Sequence, residues 1–425
     1  MLHSAAVHES SRSSFSSAFG PGLLWAAAAI GVSHLVQSTR AGAEAGFALV
    51  GVVLLALVLK YPFFEYGPRY AAATGESLVE GYARIGRWAL WLYFAITVST
   101  ALIIQGVVVL FTSFLVAAAF AIPLPLAAVT ALLILACAAL LRFGRFRGLD
   151  GTTKVILALL SASTLFAAAL AFPRADLSTL AFWPPAAAAV PFAFILALAG
   201  WMPSAIDISV WSSLWTLAKN RETGTTASVA HALLDFRIGY IGTGILAFAF
   251  LLLGAGVMYG AGRTFSPAGT AFSLQLVDLY SETLGAWTRP VVLVAVVTTM
   301  FSTALTVIDG FPRAIARSWA VLQGGGRPTG NRDTGGVYWI SLAVLGMLTV
   351  LVVAFSTGSL TAMVDFATIV SFLTAPMLGY LNLRTVTGPN VAPEHRPSGA
   401  LLWLSYAGLV LLGGTAVVYL WSLLA

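Results

Sequence analysis

Ala199-Gly200-Trp201-Met202-Pro203-Ser204 interrupts an apolar stretch, 187–215, that has the length and composition to cross a membrane. A glycine and a proline three apart break helical hydrogen bonding where no water can replace it. In a bilayer such a break is tolerated only where protein buries it or where it lines a cavity. A second break, Gly31-Val32-Ser33-His34, falls in the first apolar stretch. Two broken helices at corresponding places in the halves of a membrane chain point to a transporter with its binding site at mid-membrane.

The bulk composition agrees with that class. Of 425 residues, 59% are hydrophobic and 9% charged, where a soluble domain is about a quarter charged; the mean hydropathy is +0.92. The net charge of +6 is carried without any Lys/Arg block. That argues against nucleic acid and leaves the lipid bilayer and a small ion or molecule as partners. The single cysteine, Cys137, excludes a disulfide within the chain.

Windows of about 20 apolar residues give spans at 20–42, 45–66, 88–119, 122–142, 152–172, 187–215, 233–258, 287–316, 336–356, 359–384 and 399–423. The expected fold is therefore an all-α membrane protein of eleven transmembrane helices. Placing the N-terminus in the cytoplasm puts all of the 22 Lys/Arg on inside segments except Arg40, Arg174, Arg263 and Arg289. This is the positive-inside pattern, and it puts the C-terminus outside. Lys60 counts here as one of the inside charges. Residues 1–18 read as a cytoplasmic tail with no cleavage site, and 19–425 as one transporter domain in a bacterial cytoplasmic membrane. Spans one to five (about 19–172) and six to ten (about 187–385) form two halves, with 399–423 as an extra span. Five is odd, so the halves are expected as inverted repeats that each begin with a broken helix. Segment 67–87 reads as a cytoplasmic loop with a short amphipathic helix that Thr74 caps, and 259–286 as an outside loop with a small helix around Leu274–Tyr280.

Ionisable groups inside spans are functional by default. Glu44, Glu65, Asp309 and Asp365 each have a structural alternative, Asp309 by pairing with Arg313. His34 and Asp207 follow directly on the two breaks and are the stronger candidates for substrate and proton chemistry. Met202 sits at the break, where its thioether can face a cavity beside the unpaired carbonyl of Ala199. Carbonyls without helical partners invite a cation, and a thioether favours a soft transition metal over Mg or Ca. Thr368, Ser371 and Thr374 precede Pro376 on span ten and offer hydroxyls to the pathway or to their own helix. No P-loop, HExxH, nucleophile elbow or zinc spacing is present, so neither an enzyme nor a resident cofactor is expected.

Gly20-Pro21-Gly22-Leu23-Leu24, Ala41-Gly42-Ala43-Glu44-Ala45-Gly46, Thr74-Gly75-Glu76-Ser77-Leu78 and Ala199-x-x-Met202-Pro203 together resemble Nramp-type divalent-metal transporters over about residues 19–385. The resemblance implies a LeuT-like fold and proton-coupled uptake of a Mn- or Fe-like ion. It implies Met202 sulfur and the Ala199 carbonyl as metal ligands. The family's first-span Asp-Pro-Gly-Asn aligns with Gly31-Val32-Ser33-His34, so Gly31 stands in place of the carboxylate and His34 in place of the Asn. The family's sixth-span histidines fall on Ser204 and Ser209, its third-span acidic proton path on Ala101 and Ile104, and a tenth-span polar ligand near Thr374. Burying two positive charges without a carboxylate is very costly. Either another acid substitutes, with Asp207 nearest, or the substrate is not a bare divalent cation. Two readings stay open beside the metal transporter: a LeuT-like carrier of a small organic solute, with Trp201 and Trp211 lining its pocket, and an uncoupled facilitator.

Overall fold

The computed structural model describes residues 20–143, 146–224, 226–324, 335–355 and 359–424, the side chains of 146–157 and 187 excepted. The expected tail at 1–18 lies outside the described residues. Among the described residues every regular element is helical.

The first apolar stretch is split into α1 (Pro21–Ala29), a π-helical turn at Ser33–Ser38 and α2 (Thr39–Ala45). Then come α3 (Val50–Thr74), the short α4 (Leu78–Ile85), and the long α5 (Arg87–Phe120), followed by α6 (Leu126–Phe143) and α7 (Phe146–Ala171). Short turns lead to the second split stretch, α8 (Phe192–Gly200) and α9 (Ile208–Thr223). The chain continues with α10 (Val229–Val257), the small α11 (Gly269–Leu284), α12 (Arg289–Leu322), α13 (Gly336–Phe355), α14 (Leu360–Val386) and α15 (Gly399–Ser422). Among the described residues, 8 helices are long and apolar enough to cross a membrane. The two split stretches fall short of that length because of their breaks: α1 and α8 have 9 residues each.

Two local expectations change. The second span was expected to end at 66, with Gly67-Pro68 opening a loop, but α3 runs on to Thr74 through both Pro62 and Pro68. Side chains from other helices supply donors to its backbone: Tyr240 hydroxyl to the Leu57 carbonyl at 2.5 Å and Asn382 Nδ2 to the Phe63 carbonyl at 2.9 Å. Pro62 and Pro68 remove the helical N–H partners of the Val58 and Phe64 carbonyls, and these two bonds fall on the carbonyls just before them. Thr74 does not cap α4. Its hydroxyl donates to the Tyr70 carbonyl and accepts from the Glu76 amide. Ser77 is the N-cap and forms a capping box with Glu80. The small helix expected around Leu274–Tyr280 is α11.

The broken stretches occupy the centre. α10 packs along both α1 and α2, α12 along α1 and α5, and α14 along α8. Close approach depends on small residues, as is usual between membrane helices. A Cβ on Gly42 of α2 would stand 1.9 Å from the Leu251 carbonyl of α10, and one on Gly254 of α10 would stand 2.1 Å from the Thr39 carbonyl. Gly42→Val is therefore expected to lower stability by at least about 1–3 kcal/mol, the usual cost of overpacking. Gly106→Ala on α5, where a Cβ meets nothing within 4 Å, is expected to be neutral or to gain up to about 1 kcal/mol from helix propensity. Melting of the two variants in detergent checks both.

Candidate substrate site at the two helix breaks

α8 ends at Gly200, and the chain runs irregularly through Trp201–Asp207 before α9 begins. Pro203 cannot donate a backbone hydrogen bond, and the carbonyls of Ala199, Gly200 and Ser204 turn toward α3. There they meet Lys60. Its Nζ donates to the Ala199 carbonyl at 3.1 Å, to Gly200 at 2.8 Å and to Ser204 at 2.7 Å. An ammonium has three N–H groups, and all three are used. The side chain is fully buried, with the ammonium 5.6 Å from the centre of the Phe64 ring. The carbonyl end of a helix carries partial negative charge, so the C-terminus of α8 suits a cation. Lys60 was counted from sequence as a flanking inside charge. It sits instead in the interior of α3, against the sixth-span break. The available signal was its position well inside an apolar run, where an ionisable group reads as functional.

The first break is satisfied differently. Thr303 of α12 sets its hydroxyl 3.1 Å from the Ala27 carbonyl and 3.3 Å from that of Ile30, and its one hydrogen is shared with the Thr299 carbonyl of its own helix at 3.1 Å. Gly31 makes room for it: a Cβ there would lie 2.7 Å from Thr303 Cγ2. The position that the resemblance gives to a carboxylate is thus filled from across the bundle by a threonine. His34 turns away from the sixth-span break toward α10. Its Nε2 meets the Thr243 carbonyl at 3.0 Å, its Nδ1 meets Ser33 Oγ at 2.7 Å, and its ring lies edge-on to Phe250.

Between the breaks lies a cavity of about 30 Å³, lined by Ser33, Ile104, Trp201, Ser204, Asp207 and Trp211 among others. That is room for roughly two waters. Asp207 occupies the N-cap of α9 but makes no side-chain capping bond. Among the described residues neither of its carboxylate oxygens has a hydrogen-bond partner, and the residue is 1% exposed. The Trp211 indole nitrogen is likewise without a partner, whereas Trp201 Nε1 donates to Ser371 at 2.7 Å.

The other acidic candidates are all paired. Asp365 accepts from Arg40 at 2.8 Å and Gln37 at 3.0 Å, and Glu44 from Arg40 at 3.0 Å. Glu65 is held by Tyr61, Arg69 and Arg237. Asp309 pairs with Arg313, as its spacing suggested, and also accepts from Tyr338 and Trp215. Met202 is fully buried, its sulfur 3.9 Å from Ser38 Oγ. Ser209 bonds to Asn382 and to the Ile206 carbonyl. Thr374 bonds back to its own helix at Val370 and Ser371. Ala101 and Ile104 are buried on α5, and only Ile104 reaches the cavity. Among the described residues no group of three or more His, Cys, Asp or Glu is placed to hold a metal.

Two contacts tie the broken first span to intact helices. Arg40 joins α2 to α14 through Asp365. Asp235 of α10 accepts from the amides of Gly20 and Gly22 at 3.3 and 2.7 Å, fixing the start of α1.

No family model matches the chain. In fold it is similar to a mutant manganese transporter of Eremococcus coleocola, with TM-score 0.72 over 94% of this chain and 85% of that one at 14% identity. It is similar to MhsT in complex with L-phenylalanine, with TM-score 0.61 over 94% and 98% of the two chains at 15% identity. The nucleobase-cation-symport-1 transporter Mhp1 gives 0.56 over 94% and 91% at 14% identity. These are LeuT-fold secondary transporters, and the apolar helices with that fold make the chain an integral membrane protein. In sequence it is 34% identical over 411 residues, 95% of this chain and 92% of the relative, to the uncharacterized protein PM0681 of Pasteurella multocida (strain Pm70). At that identity and over that length, the chain belongs to the same family as PM0681.

Proposed function

We propose that the chain is a secondary transporter that carries a small solute with a cationic amine head, docked at Asp207 between the broken first and sixth spans. The observation that carries this reading is the unpartnered, buried carboxylate of Asp207 in the cavity. A buried carboxylate without a hydrogen-bond donor is costly, and a ligand that brings one removes the cost. Trp201 and Trp211 line the same cavity, and indole faces attract cations. A space of about 30 Å³ suits an ammonium or methylammonium head. On this reading the first ten of eleven spans, with the N-terminus inside a bacterial cytoplasmic membrane, form two inverted five-span repeats, and 399–423 is the extra span. Alternating access exposes the site to one side of the membrane and then the other.

The metal reading is the second. Met202 and Ala199 stand at the break, as the Nramp resemblance implies, and one similar fold is a manganese transporter. Against it, the Ala199 carbonyl is taken by Lys60, Gly31 brings no carboxylate, and His34 points toward Thr243. A metal would have to draw Lys60 and His34 from their partners. Proton coupling, where present, falls to Asp207 in the first reading and to His34 with Asp207 in the second. Ser204, Ser209 and Thr374 are pathway residues in either case; Ser204 alone of the three lines the cavity.

Uptake into proteoliposomes separates the readings. A panel of labelled amines and amino acids is expected to contain a substrate, and Mn²⁺ is expected not to accumulate. Saturable Mn²⁺ uptake that Met202→Ala abolishes would sink the amine reading and establish the second. Acidification of the lumen during uptake marks a coupled carrier; its absence marks a facilitator. Asp207→Asn is expected to weaken half-saturation by about 30-fold or more, the loss of one buried charge partner. Its melting temperature should stay level or rise, because the carboxylate makes no stabilising bond in the empty protein. A fall in both would assign Asp207 to the fold.

A further inference from the structure

We infer that Lys60 is a tethered cation that fills a carbonyl-lined ion position in the sixth-span break, so that no free inorganic ion is needed there. This rests on the transporter reading of the fold and not on the identity of the solute.

Three observations carry the inference. The donor set is main-chain oxygen only: Ala199, Gly200 and Ser204, at 2.7–3.1 Å from Nζ. Carbonyl oxygens are the ligands hard cations take. Next, Lys60 makes no ion pair among the described residues, although the bundle is rich in them. Its charge is balanced by oriented dipoles alone, as a bound ion's would be. Finally, the ammonium stands at the break itself, and Ser204, one of its three acceptors, lines the substrate cavity. The lysine therefore joins the intact helix α3 to the irregular segment that faces the substrate. A free ion would make the same contacts but could leave; a side chain cannot.

The consequence is measurable without any substrate. Shortening the side chain should open a position that accepts an ammonium with N–H donors. Lys60→Ala is expected to melt well below the wild type in detergent. Ethylammonium chloride should restore half or more of that loss. Tetramethylammonium chloride, equal in charge but without N–H groups, should restore none. Lys60→Met keeps a side chain of similar length without the charge, so it should stay low in both salts. The wild type should respond to Na⁺ no more than to tetramethylammonium. The inference is overturned if ethylammonium and tetramethylammonium act alike on Lys60→Ala. It is equally overturned if Na⁺ specifically stabilises the wild type, a measurement that stands even where Lys60→Ala does not accumulate. Neither measurement uses the transported solute, so failure of the amine reading and failure of this inference are told apart.

Discussion

The structure depends on how main-chain carbonyls are satisfied where two helices break inside a medium without water. An unpaired carbonyl there costs several kcal/mol, and each break frees several. Lys60 from α3 takes three of them at the sixth-span break, and Thr303 from α12 lies against two at the first. In both cases the partner comes from an intact helix. The irregular segments are thereby fastened to continuous helices on either side of the cavity, and the breaks become fixed features instead of sites of fraying. Glycine serves the same end at Gly31 and Gly200, where a Cβ would meet Thr303 at 2.7 Å and the Thr368 carbonyl at 2.0 Å.

The charges follow from that arrangement. Arg40 with Asp365 and Glu44, Arg69 and Arg237 with Glu65, Arg317 with Glu80, and Arg313 with Asp309 are matched within the bundle. Two buried ionisable groups at the sixth-span break stand apart. Lys60 is held by main-chain dipoles, and among the described residues no other side chain holds the Asp207 carboxylate. They lie on the same broken segment or against it, and one is saturated while the other is open. Breaking a buried pair costs about 3–5 kcal/mol, and the proposed function takes the group left open by the fold as the place of an external partner.

Part of this was legible in the residues. The Gly200–Pro203 spacing located the sixth-span break, and the position of Asp207 directly after it marked the acid that the structure leaves free. The pairing of Asp309 with Arg313 followed from helical spacing. Lys60 was missed because counting charges by loop assigned it to the inside flank, although the expected span 45–66 already contained it. Its three acceptors lie on a segment remote in sequence, and no local pattern connects them to it. His34 misled for a similar reason. Its place after the break suggested the cavity, yet the π-helical turn at Ser33–Ser38 rotates its ring toward Thr243.

The Ala-x-x-Met-Pro element shows what a short motif can and cannot specify. Its Pro203 fixes the break and hence the exposure of the Ala199 carbonyl; that much is dictated by backbone chemistry. What the carbonyl then binds depends on what the other helices bring to it. A carboxylate on the first span together with an open carbonyl makes a divalent site. A glycine on the first span, with a lysine reaching over from α3, supplies the positive charge from within and leaves no acid to hold a second one there. The same break can therefore serve different cargo without any change in its own residues, and the unpaired charge moves from the first span to the start of α9. Asp207, not Met202, is where the electrostatics of this bundle are incomplete.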